Sequence, residues 1–317
     1  MSQDFRHEPV MVDEVLAIFD AVPAGTVIDA TLGGGGHSEA ILERRRDLAV
    51  VGIDRDPVAV AAATARLARF GSRVDIRRAR FDAIGAVASG LAASGTTISG
   101  VLFDLGVSSP QLDRADRGFS FSHDGPLDMR MDPADPLSAA ELVNGASEAE
   151  LAELLTDNGE ERFARRIARR IVEARPIVST AALAEIVASA VPPGARRRGH
   201  PARRVFQAIR IAVNDELEQL PGALDDAIGA LVPGGRIVVL AYHSGEDSIV
   251  KDRLRRAATG GCTCPPQLPC VCGARPLVRL LRGAKKPSLD EIARNPRAEA
   301  ARLRAAERLG PDAVGRQ

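Results

Sequence analysis

The chain has 317 residues, 45% of them apolar and 26% charged, enough for a sizeable core in one large domain or two modest ones. Its 42 Lys and Arg balance 42 Asp and Glu, and zero net charge argues against nonspecific nucleic-acid binding by the chain as a whole. No apolar run approaches the roughly 20 residues of a membrane span. Met1 to Glu8 also lacks the apolar stretch of a signal peptide, so a cytoplasmic protein with no membrane partner is expected.

The first hundred residues alternate between two signals. Residues 26–31 are a short apolar run that ends in glycines, and residues 37–46 read as a helix. Residues 48–54 form a second buried strand. An Ala-rich helix follows over 57–70, with Pro57 suited to its first turn. Residues 74–81 and 98–106 read as the third and fourth strands. This β-α-β-α spacing points to a parallel sheet covered on both faces.

The pattern breaks after Gly106. Residues 108–136, rich in Ser, Asp, Gly and Pro, read as an ordered loop. Helical patterns then take over. In 162–175, Phe163, Ile167 and Ile171 share one face while Arg165, Arg166, Arg169 and Arg170 project elsewhere. A helix over 180–191, with Thr180 as its N-cap, ends at Pro192-Pro193-Gly194, and residues 196–201 form a basic linker. The α/β pattern resumes with a helix over 204–220 and a helical stretch to Leu231. Pro233-Gly234-Gly235 then turns into a fifth strand over 236–242. A helix over 247–258 and two weaker strands, near 277–281 and 300–305, complete the chain. The economical organisation is one sheet domain in two parts, 1–112 and 204–317, interrupted by an inserted helical subdomain over 113–203.

Charge is segregated within that insertion. Residues 113–161 hold 3 Arg against 13 Asp and Glu, and residues 162–210 hold 12 Arg against 2 Glu. The basic stretch keeps a polyanion in play as partner, with a solvated Arg-rich face as the plain alternative. Trp is absent and Tyr occurs once, which excludes a broad aromatic stacking platform, although Phe119 and Phe121 offer a local one.

The turn Asp29-Ala-Thr-Leu-Gly33-Gly34-Gly35-Gly36-His37 carries the first chemistry. Glycines there let the chain turn sharply and let a ligand approach the backbone. The helix that follows points its N–H groups into the same crevice. Asp54, at the end of the second strand, lies 20 residues after Gly34, a spacing suited to gripping a ribose diol. The turn alone fits a nicotinamide dinucleotide as well. Asp29 before the glycines, and Phe81 with Asp82 at the end of the third strand, favour S-adenosylmethionine.

The segment Asp104-Leu-Gly-Val-Ser-Ser-Pro-Gln111 is more specific. With Gly35-Gly-His-Ser38, Asp54-Arg-Asp-Pro57, Arg117-Gly-Phe-Ser-Phe121, Gly125-Pro-Leu-Asp-Met-Arg-Met-Asp132, Gly159-Glu-Glu-Arg-Phe163, His243-Ser244 and Asn295-Pro-Arg297, it resembles the RsmH family, also called MraW. The resemblance runs from His7 to about Arg308. It implies a class I, Rossmann-like methyltransferase sheet with a helical insertion, and S-adenosylmethionine as cofactor. It also implies N4-methylation of a cytidine of 16S ribosomal RNA in the decoding centre, with small-subunit RNA or the small ribosomal particle as partner. Oligomeric state stays open, a homodimer included. Cofactor contacts carried over by residue are Gly34, Gly35, Gly36, His37, Asp54, Phe81, Asp104 and Gln111. This chain departs from the family's habit at Gly34, where a basic residue is common, and at Gly245, where an apolar one usually follows His-Ser.

The acceptor chemistry suggests further candidates. A cytosine amine must rehybridise and become cationic as it attacks, so acceptors around it help. Asp104, with Ser108 and Ser109, is placed for that work, though Asp104 alternatively serves only the cofactor. His243 follows the fifth strand and either takes a proton, contacts RNA or is structural. Asp128, Arg130 and Asp132 close over an expelled base or pair with one another. A noncatalytic assembly factor, and a methyltransferase of DNA or protein, are the rival functions. Finally, Cys262-x-Cys264 and Cys270-x-Cys272 sit in a Pro- and Gly-rich stretch. Free thiols are expected and no metal is assigned. Tetrahedral zinc is the alternative, although the pairs lack the usual two-residue gap, and disulfides come last.

Overall fold

The computed structural model describes residues 9–159, 162–194, 200–265, 271–282 and 286–311. The chain divides into two compact units, Met1–Gly106 with Gln219–Gln317, and Val107–Glu218. The sequence pattern puts the divisions after residues 112 and 203.

In the first unit, seven strands form one sheet: β1 (Gly25–Asp29), β2 (Leu48–Asp54), β3 (Val74–Arg78), β4 (Ile98–Asp104), β5 (Arg236–Ala241), β6 (Val278–Leu280) and β7 (Arg302–Arg308). Their order is β3-β2-β1-β4-β5-β7-β6, with β3 to β5 joined in parallel and β7 antiparallel to both its neighbours. This is the α/β, Rossmann-like sheet that the resemblance implied.

The helices among the described residues are, in chain order, α1 (Val12–Phe19), α2 (Gly36–Arg44), α3 (Pro57–Leu67), α4 (Ile84–Ala93), α5 (Ser109–Asp113), α6 (Ala139–Gly145) and α7 (Glu148–Asp157). They continue with α8 (Ala164–Glu173), α9 (Thr180–Ala190), α10 (Ala202–Asn214), α11 (Glu216–Ala230), α12 (Ser244–Thr259) and α13 (Leu289–Arg294).

The near-continuous apolar strands make sense once both sheet faces are covered. Successive side chains point to opposite faces. Ile28, Val51, Val101, Phe103, Ile237 and Val239 therefore pack in one core with residues of α4, α11 and α12. Their chain neighbours Val27, Val50, Leu102, Val238 and Leu240 pack in a second core with α1, α2 and α3. The carboxyl ends of β1, β2 and β4 carry Asp29, Asp54 and Asp104. The β1–β4 pairing is the point where strand order reverses, the usual place for a ligand crevice in such sheets.

Several sequence expectations shift by local physics. The third strand stops at Arg78, and Phe81–Ala83 is a short 3-10 turn. The helix over 57–70 ends at Leu67, where a 3-10 segment takes over. Ser179, not Thr180, caps α9 by accepting the Ala182 N–H (3.3 Å). Thr180 is instead buried, and its hydroxyl accepts the Gly125 N–H (3.1 Å). The loop over 108–136 contains α5 and a 3-10 turn at Ala115–Arg117. The single helix expected over 204–220 is two helices, because Asp215 adopts a left-handed conformation (φ 50°) that ends α10.

The second unit has its own core, built from Leu127, Met129, Val143, Leu155, Ile167, Ile171, Val187, Phe206 and Ile209 among others. Helix α8 turns Ala164, Ile167, Ala168 and Ile171 inward and leaves Arg165, Arg166, Arg169 and Arg170 exposed. Helix α10 buries Ala202, Val205, Phe206 and Ile209 in the same core, which is why this unit extends past residue 203.

Asn214, 1% exposed, ties α10 to the loop before α6. Its Nδ2 donates to the Met129 carbonyl (2.8 Å) and its Oδ1 accepts the Met131 N–H (2.9 Å), on either side of a turn where Met129 has φ 60°. Asn214→Leu would strand two buried backbone groups. The expected loss is roughly 3 kcal/mol, read as a drop in the urea midpoint; an unchanged midpoint would show that the loop does not depend on this side chain. No helix of the described residues is long and apolar enough to cross a membrane.

Candidate functional site

The crevice at the carboxyl edge of the first unit is built from the loop after β1. Asp29 is 1% exposed, and its carboxylate accepts the Ser38 hydroxyl (2.6 Å), which joins the strand end to the first turn of α2. Burial pushes the Asp29 carboxyl above its ordinary range, against the lowering effect of Ser38. Thr31 accepts the Asp104 N–H on its hydroxyl (2.6 Å) and so links the loop to the end of β4.

Gly33 and Gly35 both take left-handed conformations, φ 52° and 78°. At Gly36 a Cβ would stand 2.6 Å from the Pro9 ring, so only glycine fits there without a shift. At Gly33, by contrast, a Cβ would meet only the Thr31 carbonyl oxygen, at 4.0 Å. Gly34 is buried in the same turn.

Asp54 is fixed from two sides. Its Oδ2 accepts the Gly33 N–H (2.7 Å) and its Oδ1 accepts the Asp56 N–H (2.9 Å). Each oxygen keeps a further lone pair for a diol. Burial raises its pKa to about 6, opposed by those two N–H bonds and reinforced by the Asp56 and Asp29 charges.

His37, in the first turn of α2, is 6% exposed, and its Nε2 lies 3.5 Å from Asp104 Oδ2. Neither ring nitrogen has a hydrogen-bond partner among the described residues. A buried imidazole in that state fits a site whose remaining partner is a bound molecule. Phe81 lies beyond β3, its ring edge-on to Phe103 at 6.2 Å. Asp82, expected beside an adenine, is exposed and pairs with Arg80 (3.6 Å).

Asp104 Oδ1 accepts the Tyr242 hydroxyl (2.7 Å). Burial, then the Asp104 charge, raises the phenol well above its ordinary pKa, so Tyr242 stays a neutral donor. Tyr242 was not singled out from the sequence. Its signal was available: it is the one tyrosine of the chain, and it directly follows a buried strand at the ligand edge.

His243 has a structural job. It is the N-cap of α12, and its Nδ1 accepts the Glu246 N–H (3.4 Å). Glu246, 2% exposed, accepts the Tyr242 and His243 N–H groups (2.7 and 3.3 Å). The spacing of a capping box was legible in His243 and Glu246, but histidine in place of Ser or Thr hid it.

The remaining sequence candidates belong to the second unit. Ser108 is the N-cap of α5 and Ser109 its first residue. Gln111 is 5% exposed, and its Oε1 accepts the Ser108 N–H (3.0 Å). Asp128 and Arg130 form a two-pronged pair (2.8 and 2.7 Å), and Asp132 accepts the Ala134 N–H (2.9 Å). Burial alone would raise the Asp128 carboxyl, but its Arg130 bonds hold it below the ordinary range. Asp128 and Arg130 thus pair with each other, while Asp132 bonds within its own turn.

Arg169 and Arg170 meet Glu148 and Glu173 at 3.5 and 3.0 Å. Arg165, Arg166, Arg203 and Arg204 are exposed, with no ion pair among the described residues. Arg196 to Arg198 and Cys270 lie outside the described residues.

Residues 4–309 match the model of the MraW methylase family. A protein of Heliobacterium modesticaldum called ribosomal RNA small subunit methyltransferase H is 50% identical over 314 residues, 96% of this chain and 99% of that one. The protein of that name from Anaeromyxobacter sp. is 52% identical over 318 residues, 98% and 100% of the two chains. Among solved structures, an rRNA methylase from Streptococcus thermophilus aligns with a TM-score of 0.42 at 10% identity, over 96% of this chain and 99% of that one.

Proposed function

The chain belongs to the MraW methylase family, and from that membership we propose that it methylates the N4 amine of a cytidine in the decoding centre of small-subunit ribosomal RNA. S-adenosylmethionine supplies the electrophilic methyl group. The observation that supports this donor is the charge at the sheet edge. Asp29, Asp54 and Asp104 end three neighbouring strands. Such a crevice suits a sulfonium that also carries an ammonium, and it opposes the diphosphate of a nicotinamide cofactor.

Asp54 holds the ribose. The backbone of Gly34, Gly35 and Gly36, together with His37, shapes the turn around the cofactor, and Phe81 lies toward its base. Gln111 is carried over as a further cofactor contact on the family motif. Asp104 has two oxygens in different settings. Tyr242 occupies Oδ1 and fixes the carboxylate's rotation, while Oδ2, 3.5 Å from His37 Nε2, accepts from the acceptor amine as it turns cationic. Ser108 and Ser109, which follow β4 in sequence, position the acceptor. His243 supports the site through its cap and Glu246.

The test uses small ribosomal particles from a strain lacking the gene, incubated with the purified protein and S-adenosylmethionine. Nucleoside mass spectrometry should then show N4-methylcytidine. Methyl incorporation into DNA, protein or no acceptor at all would remove the proposal. Naked ribosomal RNA run alongside identifies which form of the substrate is used.

The unpaired arginines supply affinity rather than sequence choice. Replacing Arg165 and Arg166 together with Gln should weaken binding to small-subunit RNA. The slope of log K against log salt should fall by about 1.5, at roughly 0.7–0.9 for each phosphate no longer neutralised. An unchanged slope would return these side chains to a merely solvated face.

A further inference from the structure

The cysteines after α12 do not serve the crevice. The chain leaves that helix through Gly260 and Gly261, both left-handed, and returns to join β6. The two ends of the excursion are pinned: Leu277 N–H donates to the Ala257 carbonyl (2.8 Å), and a Cβ at Gly260 would collide with the Arg275 backbone at 2.5 Å. Between these pins the described segment has little to pack. Val271 is 89% exposed, and Cys272 is exposed.

Yet three sulfurs from the two arms converge. The Sγ atoms of Cys262, Cys264 and Cys272 all lie within 4.8 Å of one another, and Cys262 and Cys272 approach to 3.6 Å. No disulfide joins any two of these three cysteines. Two thiolates on one tetrahedral zinc, each at about 2.3 Å from the metal, stand about 3.8 Å apart. Thiolates that ligate different irons of a cluster stand further apart, so the spacing favours a single ion.

We propose that Cys262, Cys264 and Cys272 bind one zinc-class divalent cation that staples the two arms of the excursion between α12 and β6. Each ligating thiol gives its proton to solvent and donates a lone pair to the metal, with no redox change. Three thiolates leave one tetrahedral position for a further donor. The site is structural and separate from the methyl-transfer crevice. It holds the approach to β6 where side-chain burial does not.

The test begins with full-length protein purified without chelator and without a metal-binding tag. Elemental analysis should find about one zinc per chain, released when the thiols are titrated with an organomercurial. Replacement by cobalt should give a thiolate-to-metal charge-transfer band and the visible bands of a tetrahedral ion. Cys264→Ser and Cys272→Ser should each lose at least tenfold in zinc affinity while still binding S-adenosylmethionine, which shows that the sheet domain has folded. Metal-free protein in which all thiols react freely, a Cys262–Cys272 disulfide in non-reduced peptides, or zinc retained in both variants would each overturn the proposal.

Discussion

Asp54→Asn should raise the thermal midpoint of the ligand-free protein at pH 8 and remove measurable S-adenosylmethionine binding. Both effects come from one carboxyl. Its pKa stands at about 6 in the folded chain against an ordinary 3.8, chiefly because burial disfavours its charge. A group whose folded pKa is raised contributes stability below its unfolded pKa and loses it as pH climbs through the folded value. The ionised form at pH 8 therefore costs about 3 kcal/mol. Asparagine never ionises, but it presents only one acceptor to the Gly33 and Asp56 N–H groups, which returns about 1 kcal/mol. The net gain of about 2 kcal/mol is a rise of several degrees, opening between about pH 4 and pH 6 and flat above.

Donor affinity moves the other way. A ribose diol bound by two charge-assisted hydrogen bonds loses both, so the dissociation constant should rise at least about 100-fold. In the unaltered protein the same logic makes donor affinity fall below about pH 6, by up to about tenfold per unit, as Asp54 takes up a proton. Scanning fluorimetry and titration calorimetry across that range check both halves. A variant that melts lower at every pH, or that binds the donor normally, would remove Asp54 from this role.

Asp104→Asn should lower kcat by about 100- to 1,000-fold with little change in donor affinity. The amide keeps an acceptor for the Tyr242 hydroxyl, so the side chain stays in place. What it loses is the second acceptor, replaced by a donor where the acceptor amine develops positive charge. Single-turnover methylation of small ribosomal particles measures the step directly. If Asp104 serves the cofactor instead, the split reverses: donor affinity falls and the single-turnover rate at saturating donor is kept. Tyr242→Phe should give a smaller loss in the same step, because it frees the rotation of the carboxylate without removing it.

The centre of the sheet was legible because β1, β2 and β4 are short, largely apolar runs that each end in Asp. All seven positions were recovered, down to the weak β6 and β7. Helices were less so. The first, Val12–Phe19, passed unnoticed, being two turns long and capped by a left-handed methionine. The break at Asp215 was hidden because residues on both sides of it keep helical periodicity. In the crevice, the glycines and the strand-end carboxylates could be named from spacing alone. The bonds of Thr31 and Tyr242 to Asp104 could not, because those partners lie 73 and 138 residues apart in the chain. Local pattern reports which residues end a strand; it does not report which ends the sheet order makes adjacent.

The strand order also sets a timetable. β7 lies between β5 and β6, yet it is made after both. While the roughly sixty residues between Ala241 and Arg302 are being synthesised, β5 has a parallel neighbour on one side and a bare row of N–H and C=O groups on the other. At about 5–20 residues per second that edge stays open for several seconds, and β6 emerges into solvent with nothing to pair against. A nascent chain stalled in that interval carries a nearly complete parallel sheet with one sticky border, which is the form most exposed to pairing with another copy. Completion of the sheet, and with it the final seating of Tyr242 at the end of β5, waits on the arrival of Arg302–Arg308.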